Sequence, residues 1–222
     1  MGSVTEFSQR MSPHPFYSFL KERSSRPLPG REAQFKMTPV PIGSDFTIPR
    51  NPPQTATPSA VLALLYPNPE QELNLILTLR TSDIQHGGQV SFPGGKQEKG
   101  ETLEQTAVRE TQEEIGIPEA SISIACAITP IYLFRTDNQI YPYIGFLEAE
   151  PHFKPNLNEV EEVFSCPLKR LANGECIRKK RDRFLKNEFE VPYWDVHRVP
   201  VWGATAMMIS ELVELYKEFV RE

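Results

Sequence analysis

Glu110, Glu113 and Glu114 stand at i, i+3 and i+4. A helix with that spacing carries all three acids on one face. Like charges so placed destabilise an isolated helix by about a few tenths of a kcal/mol per pair. A divalent cation would offset the repulsion, and carboxylates are hard ligands suited to Mg2+ or Mn2+. Gly94-Gly95 lies upstream, where a backbone carbonyl can approach a metal with no Cβ in the way. Arg109 sits beside the acids, with a fork of donors able to anchor one or two of them. The surrounding residues predict the helix itself. Thr102 and Gln105 have the spacing of a capping box, and Leu103, Ala107, Val108, Thr111 and Ile115 form an apolar stripe. Gly116 fits a left-handed cap, and Pro118 stops the helix.

Gly95, Glu101, Arg109, Glu110, Glu113, Glu114 and Gly116 match every fixed position of the Nudix box, so the stretch Gly95 to Ile117 resembles that family. Thr111 replaces a usually aliphatic residue, a minor departure because its methyl can still pack. The resemblance implies an α/β/α sandwich with a mixed central sheet. It also implies a metal-dependent pyrophosphohydrolase, with metal held by Glu110, Glu113, Glu114 and the Gly95 carbonyl. A solvated Glu-rich helix would explain neither the glycines nor Arg109.

Upstream, Leu75 to Gly95 reads LILTLRTSDIQHGGQVSFPGG, similar to the extra signature of the coenzyme A pyrophosphatase branch. Ile76 and Thr81 depart mildly from it, and Trp202 to Ala206 also resembles that branch. The implied reaction cleaves coenzyme A or acyl-coenzyme A to 4′-phosphopantetheine, or its acyl form, and adenosine 3′,5′-bisphosphate. Another nucleoside diphosphate derivative such as ADP-ribose, or a non-catalytic ligand-binding role, is the alternative. The substrate-binding candidates are Arg80, His86, Gly88, Phe92 and Lys96. Arg80 suits either a phosphate or a structural salt bridge. His86 suits a phosphate or the orientation of its own Gly-rich loop. Phe92 suits the core or the pocket wall. The catalytic candidates are Arg109, Glu110, Glu113 and Glu114, joined by Glu159 and Glu162 on a later segment. The proton acceptor is left open among the box glutamates, Glu159, Glu161 and Glu162. Glu101 is assigned to the loop-helix geometry or to a water-bridged contact.

Elements must position these residues. AVLALLYP (60–67) and LNLILTLR (73–80) read as strands joined by a turn. Residues 122–134 and 140–149 read as a second pair around Asp137-Asn138, with Pro130 and Pro142 marking breaks or edges. Residues 189–203 contain a strand, and Ala204 to Val220 has helical periodicity. We expect an α/β Nudix-type domain over 57–222, preceded by a Pro-rich extension (1–56) with a short helix at His14 to Arg23. The prolines argue against further regular structure there. The extension's aromatics favour an arm packed on the domain or on a second subunit, which leaves a homodimer open.

A net charge of −5 argues against a general nucleic-acid surface, though a metal can still supply positive charge to a nucleotide substrate. The basic run 178–183 and Lys99 are further partners for a substrate phosphate, unless the run is a solvated face. Cys126, Cys166 and Cys176 show no paired spacing, which fits a reducing compartment. No apolar leader, membrane-length run or peroxisomal terminus is visible, and a cytoplasmic location is expected.

Overall fold

A computed structural model describes residues 13–82, 87–184 and 186–222. In chain order the elements are α1 (Pro15–Arg23), α2 (Gly30–Phe35), β1 (Val40–Ile42), β2 (Thr57–Pro67), β3 (Leu73–Arg80), β4 (Val90–Ser91) and β5 (Gly94–Lys96). Then follow α3 (Leu103–Ile115), β6 (Ser123–Ala127), β7 (Ile131–Leu133), β8 (Asn138–Phe146) and β9 (Val160–Pro167). The chain closes with α4 (Leu168–Ala172), β10 (Ile177–Phe184), β11 (Asn187–Trp194) and α5 (Gly203–Arg221).

A mixed sheet forms the centre, in the order β4-β3-β2-β8-β6. β2 and β8 run parallel, with Ala60 opposite Tyr141, and the remaining pairs are antiparallel. β2 alternates between two cores. Ala60, Leu62, Leu64 and Tyr66 pack with Ala107 and Ile115 of α3. Val61, Ala63 and Leu65 pack on the other face with Phe16 of α1 and Met208, Leu212 and Leu215 of α5. Helices on both faces explain why 60–67 is an unbroken apolar run rather than an alternating one. The outcome is the α/β/α sandwich. Pro142 lies between the β6 and β7 pairings, where no ladder N–H is required of it, and its carbonyl accepts from Ile128 N–H at 2.9 Å.

The helix α3 starts and stops as its sequence dictates. Both halves of the Thr102–Gln105 capping box are formed, and Gly116 adopts φ 72° at the far end. Ala107, Thr111 and Ile115 are buried, with Leu103 and Val108 at the margin. The Thr111 hydroxyl donates to the Ala107 carbonyl at 2.7 Å, so its burial leaves no orphan.

Three elements depart from the reading of the sequence. The Pro-rich path holds a helix, α2, and a strand, β1. The helix is short and begins after Pro29, and β1 is an edge strand on β11 that tolerates Pro41. The basic run is also a strand: β10 pairs with β11 along its whole length.

The segment before β2 is fastened to the end of the chain. Phe16 and Leu20 of α1 are fully buried, burial worth about 1.5–3 kcal/mol each. Arg23 Nε donates to Glu218 Oε2 at 2.5 Å. Glu211 of α5 is completely buried and accepts from Gly30 N–H (3.0 Å), Gln34 Nε2 (2.8 Å), Thr129 N–H (3.2 Å) and Thr129 Oγ1 (2.7 Å). Among the described residues no cation pairs with it, so four neutral donors carry its solvation.

Candidate active site

The acids of α3 face β5, which pairs with β2 so that Ala60 lies opposite Gly95. Glu110 packs directly on Gly95. A Cβ there would lie 2.4 Å from the Glu110 carboxyl carbon, so any side chain would displace the acid. One turn on, the Glu114 side chain is 2% exposed. It accepts from Arg80 Nη1 at 3.1 Å and Gly94 N–H at 3.2 Å. Burial pushes its pKa up to about 7, against the pull of Arg80 and the Gly94 N–H, while the charges of Glu110 and Glu159 push it further up. Glu110 is likewise raised, chiefly by burial, with Arg109 opposing. Glu113 is different. Its side chain is 56% exposed and bonds to Arg109 Nη1 at 3.0 Å. The three acids therefore do not form one uniform face: two turn inward and one outward.

Arg109 organises the loop. Its Nε and Nη2 bond both oxygens of Glu101, at 3.0 and 2.9 Å. Its Nη1 also lies 3.1 Å from Glu110, and its Nη2 donates to the Lys96 carbonyl at 3.2 Å. Glu101 in turn accepts from Glu98 N–H and the Thr106 hydroxyl, both at 2.8 Å. The Arg109 hydrogen bonds, helped by that N–H, hold the Glu101 carboxyl down at about 2. Glu101 thus stays charged and ties the loop to the helix.

Among the described residues no three His, Cys, Asp or Glu side chains converge on one metal-binding point. The donor set still fits a hard divalent cation. Glu110 and Glu114 are oxygen donors whose pKa values are raised by burial and by nearby carboxylates, Glu159 acting on both, beside a backbone stripped of its Cβ.

A cleft of about 400 Å3 opens beside this edge. Arg31, Arg50, Arg80, Arg135 and Lys96 line it, with no lining acid among the described residues, although the chain is acidic overall. Of the sequence candidates, Arg80, Phe92 and Lys96 reach it. Phe92 is buried in the core on the α5 side, away from α3. Gly88 closes the β3–β4 turn, its N–H on the Arg80 carbonyl at 3.0 Å, and does not line the cleft. His86 lies outside the described residues. Glu159 sits just before β9, close enough for its charge to act on Glu110 and Glu114. Glu162 is elsewhere: it pairs with Arg198 and with His197 Nε2 at 3.4 Å, and Arg198 keeps its carboxyl low. His197 stacks on Phe164, with centroids 4.2 Å apart, and does not line the cleft, whereas Trp202 does. Most of the basic run is paired, Lys179 with Glu190, Lys180 with Asp182 and Arg181 with Glu188. Lys99 stands outside the cleft.

Sequence reasoning missed Phe35, Arg50 and Phe184 as cleft residues. Phe35 and Phe184 were marked only as aromatics, one among prolines and one at the end of the basic run, and Arg50 by nothing beyond its place in the Pro-rich path.

Residues 56–187 match the NUDIX domain, more than half of the chain. The chain belongs to the Nudix hydrolase family. It is similar to "Nudix hydrolase 15, mitochondrial" of Arabidopsis thaliana, 33% identical over 67% of this chain and 54% of that protein. It is also similar to "Peroxisomal coenzyme A diphosphatase ndx-8" of Caenorhabditis elegans, 30% identical over 68% of this chain and 64% of that protein. The chain thus spans about half to two thirds of these relatives. A solved Nudix hydrolase from M. smegmatis, RenU, shares the fold, with a TM-score of 0.54 at 20% identity, covering 73% of this chain and 87% of that one. Among the described residues no helix is long and apolar enough to cross a membrane.

Proposed function

We propose that this Nudix chain hydrolyses the diphosphate of coenzyme A or an acyl-coenzyme A. The observation that carries this reading is a cationic cleft, free of acids among the described residues, opening at Gly94-Gly95 beside the half-buried Glu110 and the buried Glu114. An anion drawn into that cleft would meet these acids, whose charge a bound divalent cation would offset. The upstream signature and the relatives named as coenzyme A diphosphatases supply the substrate class.

Glu110 and Glu114, with the Gly95 carbonyl and Glu113, are the residues that would hold Mg2+ or Mn2+. The ion would supply charge neutralisation for the diphosphate and a more acidic water. Arg80, at the cleft edge, orients a phosphate oxygen while remaining tied to Glu114. Arg109 and Glu101 hold the loop still. Glu159 is our choice of proton acceptor over Glu162, because Glu110 and Glu114 feel its charge while Glu162 is occupied by Arg198. The work of the protein is positioning and charge compensation more than covalent chemistry.

The test is a panel of coenzyme A, ADP-ribose, NADH and nucleoside triphosphates with Mg2+ or Mn2+, with products identified by mass. Coenzyme A should yield 4′-phosphopantetheine and adenosine 3′,5′-bisphosphate. A clear preference for ADP-ribose would sink the coenzyme A reading, and silence across the panel would indicate a ligand-binding role.

A further inference from the structure

We propose that residues 30–50, which precede the family match, form with the chain's C-terminal part a chamber that selects the apolar arm of the substrate. The inference rests on the diphosphate reading of the site and extends it to the group beyond the diphosphate.

The cleft has two kinds of lining. Its reacting edge is Arg80, Gly94, Gly95 and Lys96. The lining is otherwise largely apolar and aromatic, and includes Phe35 and Ile48 from the N-terminal segment together with Phe184, Trp202 and Met207. None of these except Phe184 falls within residues 56–187. Cations stand over two of these rings. The Arg50 guanidinium lies 3.7 Å from the Phe35 ring centroid, and the Lys180 ammonium lies 5.2 Å from that of Trp202. Among the described residues Arg31 and Arg135 at the rim pair with no acid.

An apolar floor with a cationic rim fits a ligand whose arm is a linear hydrocarbon and whose other end carries phosphates. A volume near 400 Å3 falls in the range of about 300–1,000 Å3 usual for small-molecule sites. The N-terminal wall is fixed in place. The buried Glu211 carboxylate binds α2 at Gly30 and Gln34, and β1 is laddered to β11. The Thr38 hydroxyl also contacts Met207 sulfur at 3.7 Å, which joins the two sides of the chamber. A wall held this way is preorganised, so filling it costs little ordering.

The probes are free coenzyme A and its octanoyl thioester, measured in two ways. One is binding to the metal-free protein in chelator, and the other is kcat/KM with Mg2+. The octanoyl thioester should be preferred by about tenfold or more, since burial of only two methylenes already gives that ratio. Phe35→Ala should reduce the preference several-fold, while Phe35→Leu keeps most of it. Ile48→Trp, which fills the chamber without opening the core, should weaken the octanoyl thioester more than the free thiol. Melting curves confirm that each variant is folded. Equal binding of the two probes by the wild type, or a preference untouched in folded Phe35→Ala and Ile48→Trp, overturns the proposal. Selective binding of the thioester without hydrolysis supports the chamber and defeats the diphosphatase reading. Hydrolysis without selectivity does the reverse.

Discussion

Arg109 touches Glu101, Glu110, Glu113 and the Lys96 carbonyl, so one guanidinium compensates most of the charge that the box concentrates. It cannot reach Glu114. That acid depends on Arg80 and one backbone N–H, and burial leaves it reluctant to ionise. A bound cation would relieve this site more than any other on the helix. Saturating Mg2+ or Mn2+, at about 100 times its dissociation constant, should therefore stabilise the wild type by about 2.7 kcal/mol, a rise of several degrees in melting temperature. Glu114→Gln should melt normally in chelator and lose most of that rise. A variant that keeps the full metal shift would remove Glu114 from the ligand set. The box itself was legible in the sequence because it depends on local spacing. The inward and outward split of its acids was not, because it depends on where Arg80 and Gly94 arrive from another strand.

At the scale of elements, the join between α2, the β6–β7 loop and α5 hangs on Glu211. Of its four donors only Gln34 Nε2 also reaches another acceptor in the cluster, the Thr129 carbonyl at 2.7 Å. Replacing it with Leu fills a similar space and strands buried N–H groups, which should cost about 3 kcal/mol or more. The loss should appear as a lower denaturant midpoint and as early proteolytic cutting between residues 24 and 50. A Glu211→Leu protein as stable as the wild type would show that water satisfies those donors instead. The periodicity of α5 pointed to its apolar stripe of Met208, Leu212 and Leu215. Nothing in that periodicity marked Glu211 as inward, since a lone acid in a helix normally faces solvent. For the same reason β1 and α2 were hidden. Each is held by partners far along the chain rather than by its own sequence.

For the whole molecule, the strands and helices of the sandwich were readable from apolar runs and turn residues. The order of strands was not, because pairing is set by contacts remote in sequence. The parallel ladder between β2 and β8 is the clearest case. It joins residues on either side of the box, so β5 and α3 lie inside the loop that it closes. Long closures are paid in entropy before any contact repays them, and such topologies fold slowly. The centre of the sheet and the acidic site are thus bound to one kinetic event. On refolding from denaturant, the return of Trp fluorescence and the return of metal-induced stabilisation should share a single rate. A metal site that forms well ahead of the sheet would mean that the box is a self-standing unit. If the rates agree, no partly folded form of this chain can carry out its chemistry, and a misfolded copy is silent rather than indiscriminate.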